Sequence, residues 1–201
     1  MEQINNYKEF LNHLNVLKEE KEKKKILIHA CCGPCSSEVI DFLKDIFDIT
    51  IYYYNPNIYP ESEYEKRYDQ FQLLPYDFDI IKGEYEDDKY YEAIKGLEDL
   101  GEFSQRCYKC FYFRMEESAK KAKALGFDYF TTTLSISPYK NSKWINEIGY
   151  EIAKKYNIDY LYSDFKKQEG YKKSIKLSTE YGMYRQEYCG CIYSLNESNK
   201  K

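Results

Sequence analysis

Short apolar runs alternate along the chain with longer segments in which hydrophobic positions recur every three or four residues. The apolar runs predict strands at 26–30, 48–55, 76–83, 127–135 and 158–165. The longer segments predict helices at 2–24, 36–47, 62–74, 87–100, 107–125, 142–156 and 171–181. Strands that alternate with helices favour an α/β fold with a mainly parallel sheet of about five strands and helices on both faces.

Local signals indicate where some elements begin and end. Ser62 is expected to cap the third helix, with Glu65 completing a capping box. Gly126 is expected to end the helix that begins at Cys107. The 201 residues suffice for one domain. We therefore predict a single domain over 1–201, with a helical extension at 1–24 and a cysteine-bearing tail at 183–201.

The predicted sheet gathers several motifs at one edge. Cys31 and Cys32 directly follow the first strand, residues 135–140 follow the fourth, and Asp164 closes the fifth. In open parallel sheets, sites form where the carboxyl ends of the strands meet. We therefore expect these motifs to share one functional rim.

Composition narrows the class of protein. No apolar run approaches the ~20 residues that a transmembrane helix needs. The first residues lack the basic start and apolar core of a secretory signal. A cytoplasmic location with no membrane partner is expected, and clustered cysteines there more often bind metal or do redox chemistry than form disulfides.

The charge is unevenly distributed along the chain. The net charge of −4 disfavours broad nucleic-acid binding, yet eight Lys and Arg face only four Glu from residue 166 onwards. This excess predicts either a solvated helix face or a basic patch beside the last cysteines. The 24 tyrosines accompany abundant Lys, Ile and Asn, so their number alone does not indicate a base-stacking surface.

The seven cysteines fall in three short clusters: Cys31, Cys32 and Cys35; Cys107 and Cys110; and Cys189 and Cys191. Closely spaced thiolates are the usual protein ligands of zinc and of iron–sulfur clusters. Adjacent cysteines have Cα atoms ~3.8 Å apart, below the ~4.4 Å that is usual for a disulfide. Metal ligation therefore suits Cys31 and Cys32 better, and a helix N-terminus there would favour their thiolates.

The three clusters together are compatible with one electron-transfer centre. Cys107 and Cys110 lie on one face of the predicted helix, and with Cys31 and Cys32 they supply the four ligands that a 4Fe–4S cluster needs. The CxC pair near the C-terminus fits either a redox-active dithiol or two ligands of a separate iron.

Two alternatives use the same thiols. Four of them could form a structural zinc site in an RNA-binding module without catalysis, although three thiols would then be left over. Cys32 to Cys35 alone resembles the CxxC of thiol–disulfide oxidoreductases, but the extra Cys31 and the length of the chain disfavour that interpretation. An ATP-using enzyme would need a glycine- and serine-rich pyrophosphate loop where CCGPCSS stands.

Six ordered motifs resemble those of the QueH-type epoxyqueuosine reductases: HACCGPCS, YNPNIYPESEYEKR, RCYKC, TTTLSISPYKN, DFKKQEGYKKS and YRQEYCGC. The resemblance covers roughly residues 25–193 and includes all seven cysteines. Gly33 stands where alanine is expected in many members, and Phe111 stands where tyrosine is expected. Neither difference removes a candidate ligand.

The resemblance implies a Rossmann-like (HUP-type) layered fold and a definite reaction. The epoxide of epoxyqueuosine, at the wobble position of tRNAs with a GUN anticodon, would be reduced to an alkene with release of water. The reaction takes two electrons and two protons and uses no cobalamin. A 4Fe–4S cluster with an adjacent iron is implied, together with an electron donor that the sequence does not identify.

The resemblance also assigns roles to residues. Cys31, Cys32, Cys107 and Cys110 are expected to bind the cluster. Cys189 and Cys191 are expected to be a redox pair or ligands of a second iron, for which Cys35 and Asp164 are further candidates; Asp164 has helix capping as its alternative role. Near the rim we expect tRNA contacts from Lys140, Lys143, Lys172, Lys173 and Arg185 to phosphates and from Tyr139 and Tyr184 to bases. His29 is expected to be a buried structural residue.

Overall fold

The computed structural model describes residues 3–200. Its strands are β1 (Lys24–His29), β2 (Phe47–Tyr53), β3 (Asp79–Lys82), β4 (Tyr129–Thr132) and β5 (Asp159–Tyr160). These strands form one parallel sheet in the order β3-β2-β1-β4-β5. The predicted parallel α/β fold is confirmed. The chain moves outward from β1 to β3 and then returns to β4, so the strand order reverses beside β1, where such folds form their crevice.

Helices connect the strands and surround the sheet. They are α1 (Tyr7–Lys18), α2 (Gly33–Leu43), α3 (Glu61–Asp69), α4 (Asp87–Ala93), α5 (Gln105–Ala124), α6 (Ser142–Tyr156), α7 (Gly170–Glu180) and α8 (Ile192–Ser198). Short 3₁₀ turns follow α3 at Gln70–Leu73 and β4 at Thr133–Ile136. None of the helices over residues 3–200 is long and apolar enough to cross a bilayer.

The central strand β1 is buried on both faces, as an apolar run in a parallel sheet predicts. Ile28 belongs to a core that includes Phe10 of α1 and Val39 of α2. Leu27 faces the opposite way and packs in a second core with Met115 of α5. These two cores fix the position of the turn that leaves β1, and that turn carries the first cysteine cluster.

The structure corrects the predicted start of α2. The helix begins at Gly33 rather than at residue 36, with Cys32 as its N-cap and Pro34 in the first turn. Proline suits that place because its fixed φ fits a helix and its missing N–H would have no partner there. Cys35 therefore lies in the first helical turn instead of in the preceding loop.

The predicted capping of α3 was wrong. The helix begins at Glu61 with Pro60 as its N-cap, so Ser62 lies inside the helix and caps nothing. Glu65 does not reach back to the helix start; its carboxylate pairs with Lys82 of β3 at 2.5 Å. The chain turns into the helix two residues earlier than the Ser–Glu spacing suggests, because the carbonyl of Pro60 already accepts the N–H of Glu63.

Several other elements are shorter than the sequence predicted. Asn6 caps α1 and accepts the N–H groups of Lys8 and Glu9, and the helix ends at Lys18; the start predicted at residue 2 lies outside the described residues. The helix predicted over 87–100 ends at Ala93. The predicted fourth strand shortens because residues 133–136 turn into a 3₁₀ helix, and β5 spans only two residues. The predicted tail contains a short helix, α8.

Gly33 lies in a close approach between the first turn of α2 and the 3₁₀ turn after α3. A Cβ at residue 33 would meet the carbonyl carbon, the oxygen and the Cβ of Gln70 at 2.8 Å. We therefore expect Gly33→Ala to lower the free energy of unfolding by about 1–3 kcal/mol, because backbone must shift to admit the methyl group. Chemical denaturation measures the change.

Gly101→Ala is the matched control, because a Cβ at residue 101 would meet no atom within 4 Å. This variant should unfold at nearly the wild-type denaturant concentration. A Gly33→Ala protein as stable as the Gly101→Ala protein would contradict the predicted close contact.

Candidate metal centre

The first cysteine cluster forms a compact buried group of thiols. Cys31 and Cys32 follow β1 directly, and Cys35 lies in the first turn of α2. The three sulfur atoms lie within 4.8 Å of one another, with Cys31 Sγ and Cys32 Sγ 3.9 Å apart. All three cysteines are buried. Three convergent thiols at this spacing could hold a metal ion.

The other two clusters approach the same place. Cys107 and Cys110 lie in the first turns of α5, and Cys191 is the N-cap of α8. Cys110 and Cys191 belong to one small buried cluster with Tyr90 of α4. Neighbouring charge at Cys189 contributes, after burial, to raising the pKa of Cys107. The second and third cysteine clusters are therefore neighbours.

One cavity of about 530 Å³ receives cysteines from all three clusters. Cys35, Cys107 and Cys189 line it. Its walls also carry the rings of Phe111, Trp144 and other aromatic residues: Phe103, Tyr139, Tyr171 and Tyr188. The volume lies within the range of ligand-binding cavities. The fold therefore joins thiols from three distant segments at a single aromatic-walled cavity.

A buried polar link connects the turn after β1 to α5. Asn55, which follows β2, donates through Nδ2 to the carbonyl of Ala30 at 2.8 Å. Its Oδ1 accepts from Arg114 Nη1 at 3.1 Å, and Arg114 Nε donates to the carbonyl of Cys110 at 3.3 Å. The backbone beside Cys31 and the backbone of Cys110 are thus fixed to one another through two side chains.

Arg114 leaves one donor without a partner. The side chain is 2% exposed, and Nη2 has no hydrogen-bond partner among the described residues. Although burial opposes its charge, the nearby thiol groups of Cys110, Cys189 and Cys31 raise the pKa of Arg114. A buried cation with a free donor is costly unless an anion lies nearby. The residues therefore fit a negatively charged group held by several thiolates.

The protonation of the thiols differs across the site. Hydrogen bonds from Cys32 and Cys35 lower the pKa of Cys31, whereas burial raises the pKa of Cys32. The hydrogen bond with Cys31 raises the pKa of Cys35 to about 12, and burial raises that of Cys110 to about 12. Metal ligation requires thiolates. Metal binding here would therefore release protons from several of these thiols.

Arg67 of α3 holds the CxC segment by its backbone. The buried guanidinium donates to the carbonyls of Cys189 at 3.1 Å and Tyr188 at 3.3 Å, and it pairs with Glu63 at 2.7 Å. Gly190 has φ +131°, and a Cβ there would meet Arg67 Nη1 at 2.9 Å. Glycine is therefore required between the two cysteines by both the backbone angle and the close approach of Arg67.

Gln186 contacts the first thiol group from the cavity wall. Its Nε2 donates to Cys32 Sγ at 3.1 Å and lies 4.0 Å from Cys35 Sγ. An amide donor at a metal-bound sulfur tunes the electronic character of the centre. Sequence reasoning missed Gln186, Asn55 and Arg114. Two local signals exist: Asn55 lies just beyond the carboxyl end of β2, and Arg114 lies one helical turn beyond Cys110 on the same face.

The residues predicted to contact tRNA separate into two groups. Tyr139, Lys140 and Arg185 line the cavity. The others lie outside the cavity lining: Lys143 pairs with Glu147, Lys172 with Glu169 and Lys173 with Glu38, while Tyr184 donates to Glu63. Lys140 is half-buried. Although burial opposes its charge, the thiols of Cys189, Cys31 and Cys35 raise its pKa.

Asp164 and His29 are both buried and lie outside the cavity lining. Asp164 is not among the residues that line the cavity, and its Oδ1 lies 3.9 Å from Lys166 Nζ. His29 is fully buried; its Nε2 lies 3.2 Å from the carbonyl oxygen of Tyr54 and its Nδ1 2.9 Å from Thr132 Oγ1. Burial lowers its pKa to about 3, so the ring is neutral and structural.

A layered α/β fold with clustered thiols in a cavity at the strand ends defines this chain as a protein with a candidate metal or redox centre. The family model described as "Epoxyqueuosine reductase QueH" matches residues 26–197. The chain therefore belongs to the QueH family.

Individual relatives with the name "Epoxyqueuosine reductase QueH" agree. The protein from Thermotoga maritima is 41% identical over 184 residues, which cover 88% of this chain and 93% of that protein. The one from Streptococcus pyogenes serotype M1 is 41% identical over 187 residues, covering 89% and 73%. The one from Staphylococcus aureus is 39% identical over 201 aligned residues, covering 92% and 84%.

The buried Arg114 yields a test of the centre. Arg114→Met removes the cation and its bond to the Cys110 carbonyl but keeps a side chain that fills most of the space. We expect iron affinity to fall about 10- to 100-fold, because groups that orient metal ligands contribute on that scale. Iron titration against a competing chelator under anaerobic conditions measures the loss.

Lys120→Met, a half-exposed position on the same helix, is the control and should bind iron like the wild type. Equal affinity in the two variants would show that Arg114 does not support the centre.

Proposed function

We propose that the protein is an epoxyqueuosine reductase that acts on tRNA with a GUN anticodon. The epoxide carbon–oxygen bonds break, an alkene forms and the oxygen leaves as water, with two electrons and two protons consumed. The observation that carries the proposal is the family match over residues 26–197, joined to cysteines from three segments around one cavity. A tRNA substrate would place the reaction in the cytoplasm.

We propose a 4Fe–4S cluster as the resident cofactor, without cobalamin. Its ligands would be Cys31, Cys32, Cys107 and Cys110, and the link from Ala30 through Asn55 and Arg114 to Cys110 supports that pairing. Cys189 and Cys191 would be the redox pair or would hold an adjacent iron, for which Cys35 and Asp164 remain further candidates. Such a centre, reduced by an electron donor that the sequence does not identify, would supply the electrons of the reaction.

The chain's own residues would bind the substrate and handle its charge. The aromatic walls suit a flat base, and a base that reacts must leave its stack. Lys140 lies at the cavity among thiols that keep it protonated. Its ammonium group would neutralise the charge that develops on the epoxide oxygen and could deliver one of the two protons. Arg185 is held by Ser174 and Ser178 and would face a phosphate or ribose at the same cavity.

Replacing each cysteine by serine tests the assignment. Serine at 31, 32, 107 or 110 should sharply reduce bound iron and visible absorbance after anaerobic reconstitution, because a cluster ligand is lost. Serine at 189 or 191 should keep most cluster absorbance but reduce turnover of epoxyqueuosine-containing tRNA below detection. Iron analysis, absorbance and single-turnover assays with dithionite measure these effects.

Metal content of the purified protein separates the main alternative. A colourless protein that contains zinc and lacks turnover would favour the zinc-stabilised RNA-binding module. Loss of iron in the Cys189→Ser and Cys191→Ser variants, with no loss in the Cys31→Ser and Cys32→Ser variants, would reverse the assignment of the two groups.

The basic face of α7 gives a separate test of tRNA binding. Lys172 and Lys173 project from this helix and are both exposed. The double variant Lys172→Glu, Lys173→Glu should weaken tRNA binding. The slope of the log binding constant against log salt concentration should become shallower by up to about two, the contribution of two phosphate contacts. Cluster absorbance should be unchanged. Lys120→Glu is the control charge reversal. Unchanged affinity at low salt would remove α7 from the tRNA interface.

A further inference from the structure

Phe103 has an unusual backbone for a bulky side chain. It lies in the segment before α5 with φ +62°, in the left-handed region. Aromatic residues rarely adopt this conformation because the Cβ crowds the backbone, and it persists only where the surrounding structure imposes it. The ring gains little packing in return, since the residue is 61% exposed. Folding therefore holds a phenyl group in solvent at a conformational cost.

A buried arginine fixes the backbone that precedes Phe103. Arg106, which is 2% exposed, donates through Nη1 to the carbonyls of Glu98, at 2.8 Å, and Leu100. Ser104 donates to the carbonyl of Gly101 at 2.6 Å and accepts the N–H of Arg106 at 3.3 Å as the cap of α5. These bonds set the backbone on both sides of Phe103, so the direction of its Cα–Cβ bond does not depend on contacts of the ring itself.

The exposed ring lines the cavity that also contains the thiols. Phe103 lines it together with Tyr139, which is 70% exposed and comes from the loop after β4. Two exposed aromatic side chains from different segments thus lie at an opening whose deeper walls carry Cys35, Cys107 and Cys189. Exposed rings beside a half-buried lysine suit a ligand with flat faces and negative charge, as in single-stranded nucleic acid.

We propose that Phe103 is a stacking residue for single-stranded RNA, held at the mouth of the cavity by its left-handed backbone. Its ring stacks on a nucleobase next to the one that enters the cavity. This inference rests on the proposed function, because extrusion of the reacting base leaves the adjacent base with one unstacked face. Phe103 thereby contacts substrate and sets its position without taking part in proton or electron transfer.

The test measures RNA binding separately from reduction. The probe is a fluorescently labelled, unmodified RNA hairpin with a GU-containing single-stranded loop, titrated against the iron-loaded protein. Phe103→Ala, Phe103→Leu and Phe103→Gly should each bind the hairpin on the order of tenfold more weakly than the wild type, which is the scale of one lost base–aromatic stack. Phe103→Tyr should bind like the wild type.

A second readout distinguishes stacking from a structural role. Glycine tolerates φ +62°, so Phe103→Gly should unfold at the wild-type temperature or above it while binding RNA more weakly. A residue that merely supports the fold would lose stability and affinity together. Leu125→Ala, which truncates another exposed apolar side chain at the far end of α5, should change neither quantity.

Four results would overturn the inference. Three concern the variants: equal hairpin affinity of Phe103→Ala and the wild type, full affinity in Phe103→Leu, and an equal loss of affinity for a fully paired duplex. The fourth is a wild-type protein that binds no hairpin. Wild-type binding with the predicted variant pattern but no turnover would count against the reductase proposal alone. Turnover with no effect at Phe103 would count against the stacking proposal alone.

Discussion

The arrangement of the thiols depends on a positive charge buried among them. Arg114 crosses the space between α5 and the turn after β1, and Asn55 completes the connection to Ala30. In a protein interior such a cation is stable only beside compensating negative charge. Thiols from separate segments would provide that charge on losing their protons to a bound metal, and the cation would in turn lower the repulsion among them. The cation and the metal centre that the residues fit would then stabilise the same geometry.

Much of the fold follows from the apolar pattern alone. The strands of a parallel sheet are buried on both faces, so they leave short uninterrupted apolar runs, and the helices leave a period of three to four. The proximity of Cys31 to Lys140 follows from the same rule about strand ends, whereas Asp164, which was expected at the same rim, does not line the cavity. The errors lie at boundaries. Ser62 and Glu65 have the spacing of a capping box, but the backbone at Pro60 had already begun the helix.

The residues that support the site could not be predicted from the sequence, for a different reason. Asn55 and Arg114 are 59 positions apart in the sequence, and their role is evident only from the side-chain hydrogen bond that joins them in the folded protein. Gln186 meets Cys32 across an even longer separation. No periodicity encodes such contacts, because they arise from how α5 and the C-terminal segment pack onto the finished sheet. Reactive residue types could be found by spacing, whereas the polar groups that orient them required the tertiary structure.

The hydrogen bonds from Arg67 to the C-terminal segment affect how the sequences of family members can diverge. Its guanidinium binds the carbonyl oxygens of two successive residues, 188 and 189, and main-chain carbonyls are the same whatever side chain is present. These two bonds therefore survive a change at residue 188, which removes only the hydrogen bond from the Tyr188 hydroxyl to the Tyr59 carbonyl and the contact of its ring with Arg67. Because the side chain at 188 also lines the cavity, evolution can reshape the wall that meets a substrate while the neighbouring thiol keeps its place.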